Sequence, residues 1–144
     1  MSGQSPSGLR PWLKNIKASA AVTSDTGYAF ELPNDVADLK IIVTCSAASG
    51  TSPTLDCTLQ TSYDGGTTYV MHSRFAQITA AATRVLDLGR TNVIVAGQEF
   101  AHATTGGADA NNGPLGRHCR VYADVGGTSP SFTFQVDAIG RLDR

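Results

Sequence analysis

The chain has 144 residues, 16% of them charged, and a formal net charge of −1 at pH 7. This length fits one domain with a single core, and no apolar run approaches the roughly 18 residues that a membrane-spanning helix needs. The balanced charge argues against nucleic-acid binding, which requires a dense basic stripe, and the low charged fraction favours surfaces that contact other protein.

The first 16 residues are predicted to form an extended N-terminal arm, followed by a β-domain over residues 17–144. The arm is basic, because no acidic residue precedes Asp25. Such an arm can lie on an acidic protein neighbour, although a solvated tail has the same composition. The first residues lack the layout of a signal peptide, so we expect synthesis in a cytoplasm and release only by lysis. The candidate contact residues of the arm are Leu9, Arg10, Trp12, Leu13, Lys14 and Ile16.

Trp12 is the only tryptophan, and it lies in an otherwise polar and basic segment with a few aliphatic neighbours. A large aromatic side chain in such a segment either folds back onto its own domain or anchors the segment to a partner. The sequence leaves both interpretations open.

Short segments with alternating apolar residues follow the arm, and each is typical of a β-strand. They lie at residues 17–23, 26–32, 39–45, 54–62, 68–78, 83–88, 117–125 and 132–139, with a weaker one at 92–95. No segment has a helical period beyond one turn near residues 35–38. We therefore predict an all-β protein, an antiparallel two-sheet sandwich that is jelly-roll-like.

The tetrapeptide Gly-Thr-Ser-Pro occurs twice, at residues 50–53 and at residues 127–130, with an alternating apolar segment after each copy. Gly and Pro between two strand-like segments are typical of a hairpin turn. Two equivalent hairpins favour two packed sheets. The predicted turn residues are Gly50, Pro53, Gly127 and Pro130.

A different turn is predicted between Ser62 and Tyr69, where the sequence fits the Asp-box pattern Ser-x-Asp-x-Gly-x-Thr-aromatic of sialidase-type propellers. The pattern occurs once, and the chain is too short for a propeller, so we interpret it as a structural turn. Asp64 is expected to accept backbone N–H groups, while Gly65 and Gly66 supply positive φ angles.

The nucleophilic and metal-ligating residues show no catalytic or metal-binding spacing, so we expect no enzymatic activity, metal or cofactor. The cysteines are expected to be buried free thiols, since their number is odd and each falls in step with apolar residues. A pair formed by Cys119 with His72 or His102 remains an open alternative, as does a glycosidase-like pair of carboxylates. The cysteines and histidines of the chain are Cys45, Cys57, Cys119, His72, His102 and His118.

Residues 102–116 consist almost entirely of Gly, Ala, Asn, Thr and Pro, which predicts a long loop. Loops of this length are usually functional or mobile. We therefore expect this segment to contact a partner, and its candidate contact residues are His102, Asn111, Asn112 and Pro114.

Several sequence motifs of this chain together resemble those of a known family. The run from Leu39 to Ile78 joins Ile-Ile-Val-Thr, Ser-Gly-Thr-Ser-Pro-Thr-Leu-Asp, Gln-Thr-Ser-x-Asp-Gly-Gly-Thr-Thr-aromatic and Arg-Phe-x-Gln-Ile. Near the C-terminus, Arg-Val-Tyr precedes Gly-Thr-Ser-Pro-Ser-Phe-Thr-Phe. Over residues 26–139 the chain resembles small structural proteins of tailed bacteriophages, many of which are capsid decoration (cement) proteins.

The resemblance implies a virion protein that binds the outer capsid surface and stabilises the expanded shell by bridging capsomers. It implies the major capsid protein as partner and a homo-oligomer, a trimer rather than a dimer, made in the bacterial host cytoplasm. No contact with nucleic acid or membrane is expected. The alternatives are a tail or head–tail connector component and a glycan-binding sandwich displayed on the virion.

Overall fold

The computed structural model describes residues 9–88, 109–110 and 115–143, and the regular structure in these ranges is all β. Every strand pair is antiparallel, so the predicted all-β antiparallel class is confirmed. No helix in these ranges has the length and apolar character needed to cross a membrane. The strands are β1 (Leu9–Val22), β2 (Thr26–Glu31), β3 (Val36–Ser62), β4 (Val70–Arg74), β5 (Ala82–Leu88), β6 (Asp109–Ala110) and β7 (His118–Asp143).

Two long strands, β3 and β7, form the centre of the sheet and pair from Val36↔Leu142 to Ser62↔His118. The sheet has the order β1-β7-β3-β4-β6, with β2 paired to β7 and β5 paired to β3. We call the part that contains β1 and β5 the first half-sheet and the part that contains β2, β4 and β6 the second half-sheet. β3 and β7 run through both half-sheets.

The pairing pattern is internally duplicated. β1 pairs with the C-terminal part of β7 and β2 with its N-terminal part. In the same way, β4 pairs with the C-terminal part of β3 and β5 with its N-terminal part. The units β1-β2-β3 and β4-β5-β7 are therefore topologically equivalent, and each unit supplies the strands that flank the long strand of the other.

The two Gly-Thr-Ser-Pro copies lie opposite each other within β3 and β7, at a place that we call the crossing. The hairpin turns predicted there are wrong. Residues 50–53 lie inside β3 and residues 127–130 lie inside β7, with Thr51 opposite Thr128. Both strands continue beyond the copy in the same ladder, although the register shifts there. Gly and Pro reveal an irregular backbone, and here the irregularity is a bend within a strand rather than a reversal between strands.

The backbone at the two copies is nearly identical. The φ angles are 109° at Gly50 and 110° at Gly127, and they are 49° at both Ser52 and Ser129. A Cβ atom added at Gly50 would lie 2.7 Å from the carbonyl oxygen of Ser129, and one at Gly127 would lie 2.8 Å from that of Ser52. Each glycine therefore allows the backbone of the opposite copy to approach, and Pro53 and Pro130 pack at the same crossing.

The two-sheet sandwich and the N-terminal arm are not confirmed. The described strands form one sheet, because β3 and β7 connect its halves. Residues 9–16 of the predicted arm belong to β1, which pairs with β7 from Leu9↔Asp143 to Val22↔Phe132. Basic residues and a proline are typical of an edge strand and conceal its alternation, which explains why an arm was expected. Residues 1–8 lie outside the described ranges.

The other predicted segments correspond to parts of the observed strands. Residues 39–45 and 54–62 both fall in β3, and residues 117–125 and 132–139 fall mainly or wholly in β7. The helical turn expected at residues 35–38 is replaced by a turn that ends before β3 starts at Val36. The weak segment at residues 92–95 lies outside the described part of the chain.

One apolar core draws on both half-sheets. Its fully buried side chains include Ile41 and Phe134 from the first half-sheet and Leu55 and Leu59 from the second. Burial of each such side chain contributes about 1.5–3 kcal/mol. The three cysteines are buried and free, as predicted.

Candidate interaction surface

The outward side of the first half-sheet exposes an apolar pair. Leu13 of β1 is 71% exposed, and its cross-strand partner Ile139 of β7 is 40% exposed. The row continues through Lys40 of β3 to Asp87 of β5. We call Leu13, Ile139, Lys40 and Asp87 the Leu13 row. Ile139 was missed by the sequence analysis, because its exposure depends on which side of β7 faces the core.

Ion pairs border this apolar pair. Lys40 Nζ lies 3.4 Å from Asp87 Oδ1, and Arg141 forms an ion pair with Asp38. These four side chains and Ile139 are among the residues that line a surface cavity of about 410 Å³. Exposed ion pairs contribute about 0–1 kcal/mol, so these charges can be redirected to a partner at little cost.

The structure answers the question about Trp12. The Trp12 indole is half-buried and packs against the core opposite Gly140. A Cβ atom at Gly140 would lie 3.2 Å from Trp12 Cε3, so glycine is the residue that leaves room for the indole. Trp12 therefore folds back onto its own domain, whereas Leu13 beside it is a large apolar residue that is exposed.

The other candidate contact residues are not brought together. Arg10 and Lys14 are exposed on β1, while Ile16 is half-buried and packs against the core. Leu9 begins β1. The candidates from the predicted loop, His102, Asn111, Asn112 and Pro114, lie outside the described residues.

The turn between β3 and β4 is held by hydrogen bonds to Asp64 and Ser62. Asp64 Oδ1 accepts the backbone N–H groups of Thr67 at 3.1 Å and Thr68 at 2.8 Å. Ser62 Oγ donates to Asp64 Oδ1 at 2.7 Å and accepts the N–H of Gly66 at 2.9 Å. Gly65 and Gly66 have φ angles of 80° and 95°. The structure thus places all these residues in one compact turn.

The hydrogen bonds of this turn predict a pH-dependent stability. The backbone N–H of Thr68 and then the hydroxyl of Ser62 lower the pKa of Asp64 to about 2. The stability contributed by the ionised carboxylate is therefore fully present above the pKa of the unfolded chain, about 3.9, and is lost as the pH falls through about 2. We expect the Tm of the wild type to fall more steeply than that of Asp64→Asn between about pH 4 and pH 2.

Thermal unfolding followed by circular dichroism across this pH range measures the difference. Ser62→Ala serves as an intermediate variant, because it removes one donor to Asp64 and leaves the carboxylate in place. Its Tm should begin to fall at the same pH as that of the wild type, fall by a smaller amount, and level off at a higher pH. Parallel profiles for Asp64→Asn and the wild type would contradict the role assigned to the carboxylate.

The thiols are poorly suited to nucleophilic chemistry. Burial raises the pKa of Cys119 to about 11, and burial also raises the pKa of Cys45 and of Cys57. These side chains are therefore protonated at neutral pH, whereas the thiolate is the reactive form. His72 is buried, with Nδ1 2.6 Å from Ser73 Oγ. Within the described ranges, no group of three or more His, Cys, Asp or Glu residues could hold a metal ion.

The four tyrosines lie at three separate places in the structure. Tyr28 packs edge-to-face on Phe134 in the core, with ring centroids 6.1 Å apart. Tyr69 and Tyr122 both contact the guanidinium group of Arg120. Tyr63 is 64% exposed in the turn.

The Leu13 row is therefore the surface in the described part of the chain that best fits contact with another protein. Exposed apolar side chains with a polar rim are typical of protein interfaces. No protein-family model, curated protein or solved structure matches this chain.

Proposed function

We propose that this chain is a capsid decoration protein of a tailed bacteriophage, which binds the outer capsid surface and stabilises the expanded shell by bridging capsomers. The observation that carries the proposal is the exposure of Leu13 at 71% beside Ile139 at 40% on an outward strand face. A decoration protein needs such a contact surface and no chemistry. The sequence resemblance supports the virion as its location and the major capsid protein as its partner.

A decoration protein stabilises the shell only if its contacts form on the assembled, expanded capsid. A protein that binds the expanded state stabilises that state by its binding free energy, and the effect is repeated at every equivalent site. A standard interface buries about 800 Å² on each partner, so the Leu13 row would form the centre of a larger contact. β1 can extend it, because this strand is 14 residues long and lies at the end of the sheet order.

The proposal includes a finer description of the assembly. We infer that the two half-sheets pack as the layers of a jelly-roll-like sandwich, supported by the contact of Tyr28 of the second half-sheet with Phe134 of the first. We also infer a homo-oligomer, a trimer in preference to a dimer, because bridging of capsomers favours a symmetric unit with several equivalent contact surfaces. A tail or head–tail connector component remains the alternative within the virion.

A charge introduced at Leu13, the β1 end of the Leu13 row, should weaken particle binding. Leu13→Glu is expected to weaken binding at least about tenfold, because a buried unpaired carboxylate costs more than about 1.4 kcal/mol. The measurement is cosedimentation of the purified protein with particles from a phage mutant that lacks this chain.

Val85→Glu is the matched control. Val85 is 43% exposed on the same outward side, but it lies on β5 at the opposite edge of the first half-sheet. This variant should bind close to wild type. Wild-type binding by Leu13→Glu, or equal losses for the two variants, would contradict the placement of the contact at β1. Failure of the wild type to bind any such particle would contradict the proposed function itself.

A further inference from the structure

Arg120 of β7 is held in place on the outward side of the second half-sheet. Its Nε donates to Gln60 Oε1 at 2.6 Å. The guanidinium carbon lies 4.3 Å from the ring centroid of Tyr69 and 4.9 Å from that of Tyr122. Two cation–π contacts and a hydrogen bond fix a side chain that is otherwise among the most mobile in proteins.

The elements around Arg120 explain this geometry. Gln60 is its cross-strand partner on β3, and Tyr122 lies two residues further along β7 on the same side. Tyr69 follows the turn that Asp64 stabilises, so the turn determines where this ring lies. Arg120 was missed by the sequence analysis, because its three contacts come from different strands and turns.

On the side towards β2, Arg120 lies over residues with small side chains. The residues of β2 opposite Tyr122 and Arg120 are Gly27 and Ala29, which are both exposed. A Cβ atom at Gly27 would lie 3.2 Å from Arg120 Cδ, so even a small side chain would crowd the arginine. The small residues of β2 therefore leave the space that the Arg120 side chain occupies.

Three neighbouring cations have carboxylate partners in the structure, whereas the hydrogen bond of Arg120 is to an amide oxygen. Arg117 Nε pairs with Glu31 Oε1 at 3.1 Å, and Arg141 and Lys40 have aspartate partners. The hydrogen bond of Arg120 uses Nε, and no carboxylate in the described part of the chain pairs with its two terminal nitrogens. A fixed guanidinium group presents the fork that binds a carboxylate through two hydrogen bonds.

We propose that Arg120 binds a carboxylate of an acidic side chain on the protein that this chain contacts. The inference rests on the proposed function and adds a second contact surface, on the outward side of the half-sheet that does not carry the Leu13 row. An extended acidic segment fits best, because β7 is the one described strand with which β2 pairs, which leaves the other edge of β2 for an extended chain. Fixation of Arg120 before binding reduces the entropy lost when the contact forms.

The first test measures particle binding of variants by cosedimentation. Arg120→Gln should reduce the affinity at least about tenfold, and Arg120→Lys should recover only part of it, because an ammonium group lacks the planar fork. The matched control is Arg117→Gln, because this arginine directly precedes β7 and already has Glu31 as partner. This control should bind close to wild type. Equal binding by Arg120→Gln and the wild type would overturn the inference.

A second test is independent of capsid binding. The ¹H–¹⁵N signal of Arg120 Nε is followed by NMR during titration with a short peptide of alternating Thr and Glu, its Thr–Gln counterpart, and sialyllactose. Shifts with the Glu peptide alone support the inference, even if the wild type fails to bind particles and the proposed function falls. Shifts with sialyllactose alone would replace the protein carboxylate with a sugar acid, and no shift with any probe would overturn the inference.

Discussion

Gly50→Ala is expected to destabilise the protein by about 3 kcal/mol or more. The φ angle of 109° at Gly50 is one that side-chain-bearing residues rarely adopt. The added Cβ atom would also lie 2.7 Å from the carbonyl oxygen of Ser129 and 2.9 Å from Cα of Pro130. Both are backbone atoms of the opposite strand, so the clash can be relieved only by separating β3 from β7 at their crossing.

Urea unfolding of two further variants tests this explanation. Gly127→Ala should cost about as much as Gly50→Ala, because its Cβ atom would meet the equivalent atoms of residues 51–53 at 2.8–3.0 Å. Gly65→Ala is the matched control, because its φ angle is 80° but no atom lies within 4 Å of the added Cβ. It should cost only the backbone strain, about 1 kcal/mol. Equal losses at positions 50 and 65 would show that the crossing is not tightly packed.

Phe134→Ala is expected to cost about 5 kcal/mol, the upper end of the range for removal of a buried phenylalanine ring. The ring is fully buried and packs edge-to-face with Tyr28. The ammonium group of Lys17 lies 4.4 Å from its centroid. Phe134 thus joins β1, β2 and β7, and its removal leaves a cavity and breaks both ring contacts.

The fully buried Phe132 gives the comparison. Phe132→Ala should cost about 3 kcal/mol, the lower end of the same range, since the aromatic and cation–π contacts described involve Phe134. If the alanine variants fail to fold, the leucine variants keep the comparison measurable, and Phe134→Leu should exceed Phe132→Leu by about 1–3 kcal/mol. A larger loss at Phe132 than at Phe134 would contradict the central position given to the Phe134 ring.

Lys17 explains how the edge strand is fixed at this point. Its ammonium group donates to the carbonyl oxygens of Phe134 at 2.8 Å, Ala18 at 2.9 Å and Ala20 at 3.2 Å. These bonds lie where the register of β1 shifts against β7. Burial lowers the pKa of Lys17, and the three carbonyl acceptors and the nearby rings offset part of the cost of removing this charge from water.

The sequence predicted local features better than non-local ones. The Ser62–Tyr69 turn could be recognised because its hydrogen bonds join residues that are close in sequence. The strand segments could be recognised from their alternation, but the continuity of β3 and β7 could not, because a bend and a hairpin place the same residues between two alternating segments. β1 was missed at residues 9–16, since an edge strand tolerates Pro11 and the basic residues that obscure a strand pattern.

The same limit applies to the candidate surfaces. Leu13 was named in advance because it lies in a distinctive segment, whereas its neighbour Ile139 becomes identifiable only from the pairing of β1 with β7. Arg120 likewise acquires its role from Gln60 and two tyrosines that are distant in sequence. Non-local register decides which side chains share a face, and a single sequence carries little information about register.

The most direct test of the proposed function is the copy number of this chain in purified phage particles, measured by quantitative mass spectrometry against the major capsid protein. A decoration protein that covers the lattice should be present at a simple ratio to the capsid protein, such as about one to one or about one to three. A few dozen copies or fewer per particle would place the chain in the tail or connector, and its absence from particles would contradict a virion function altogether.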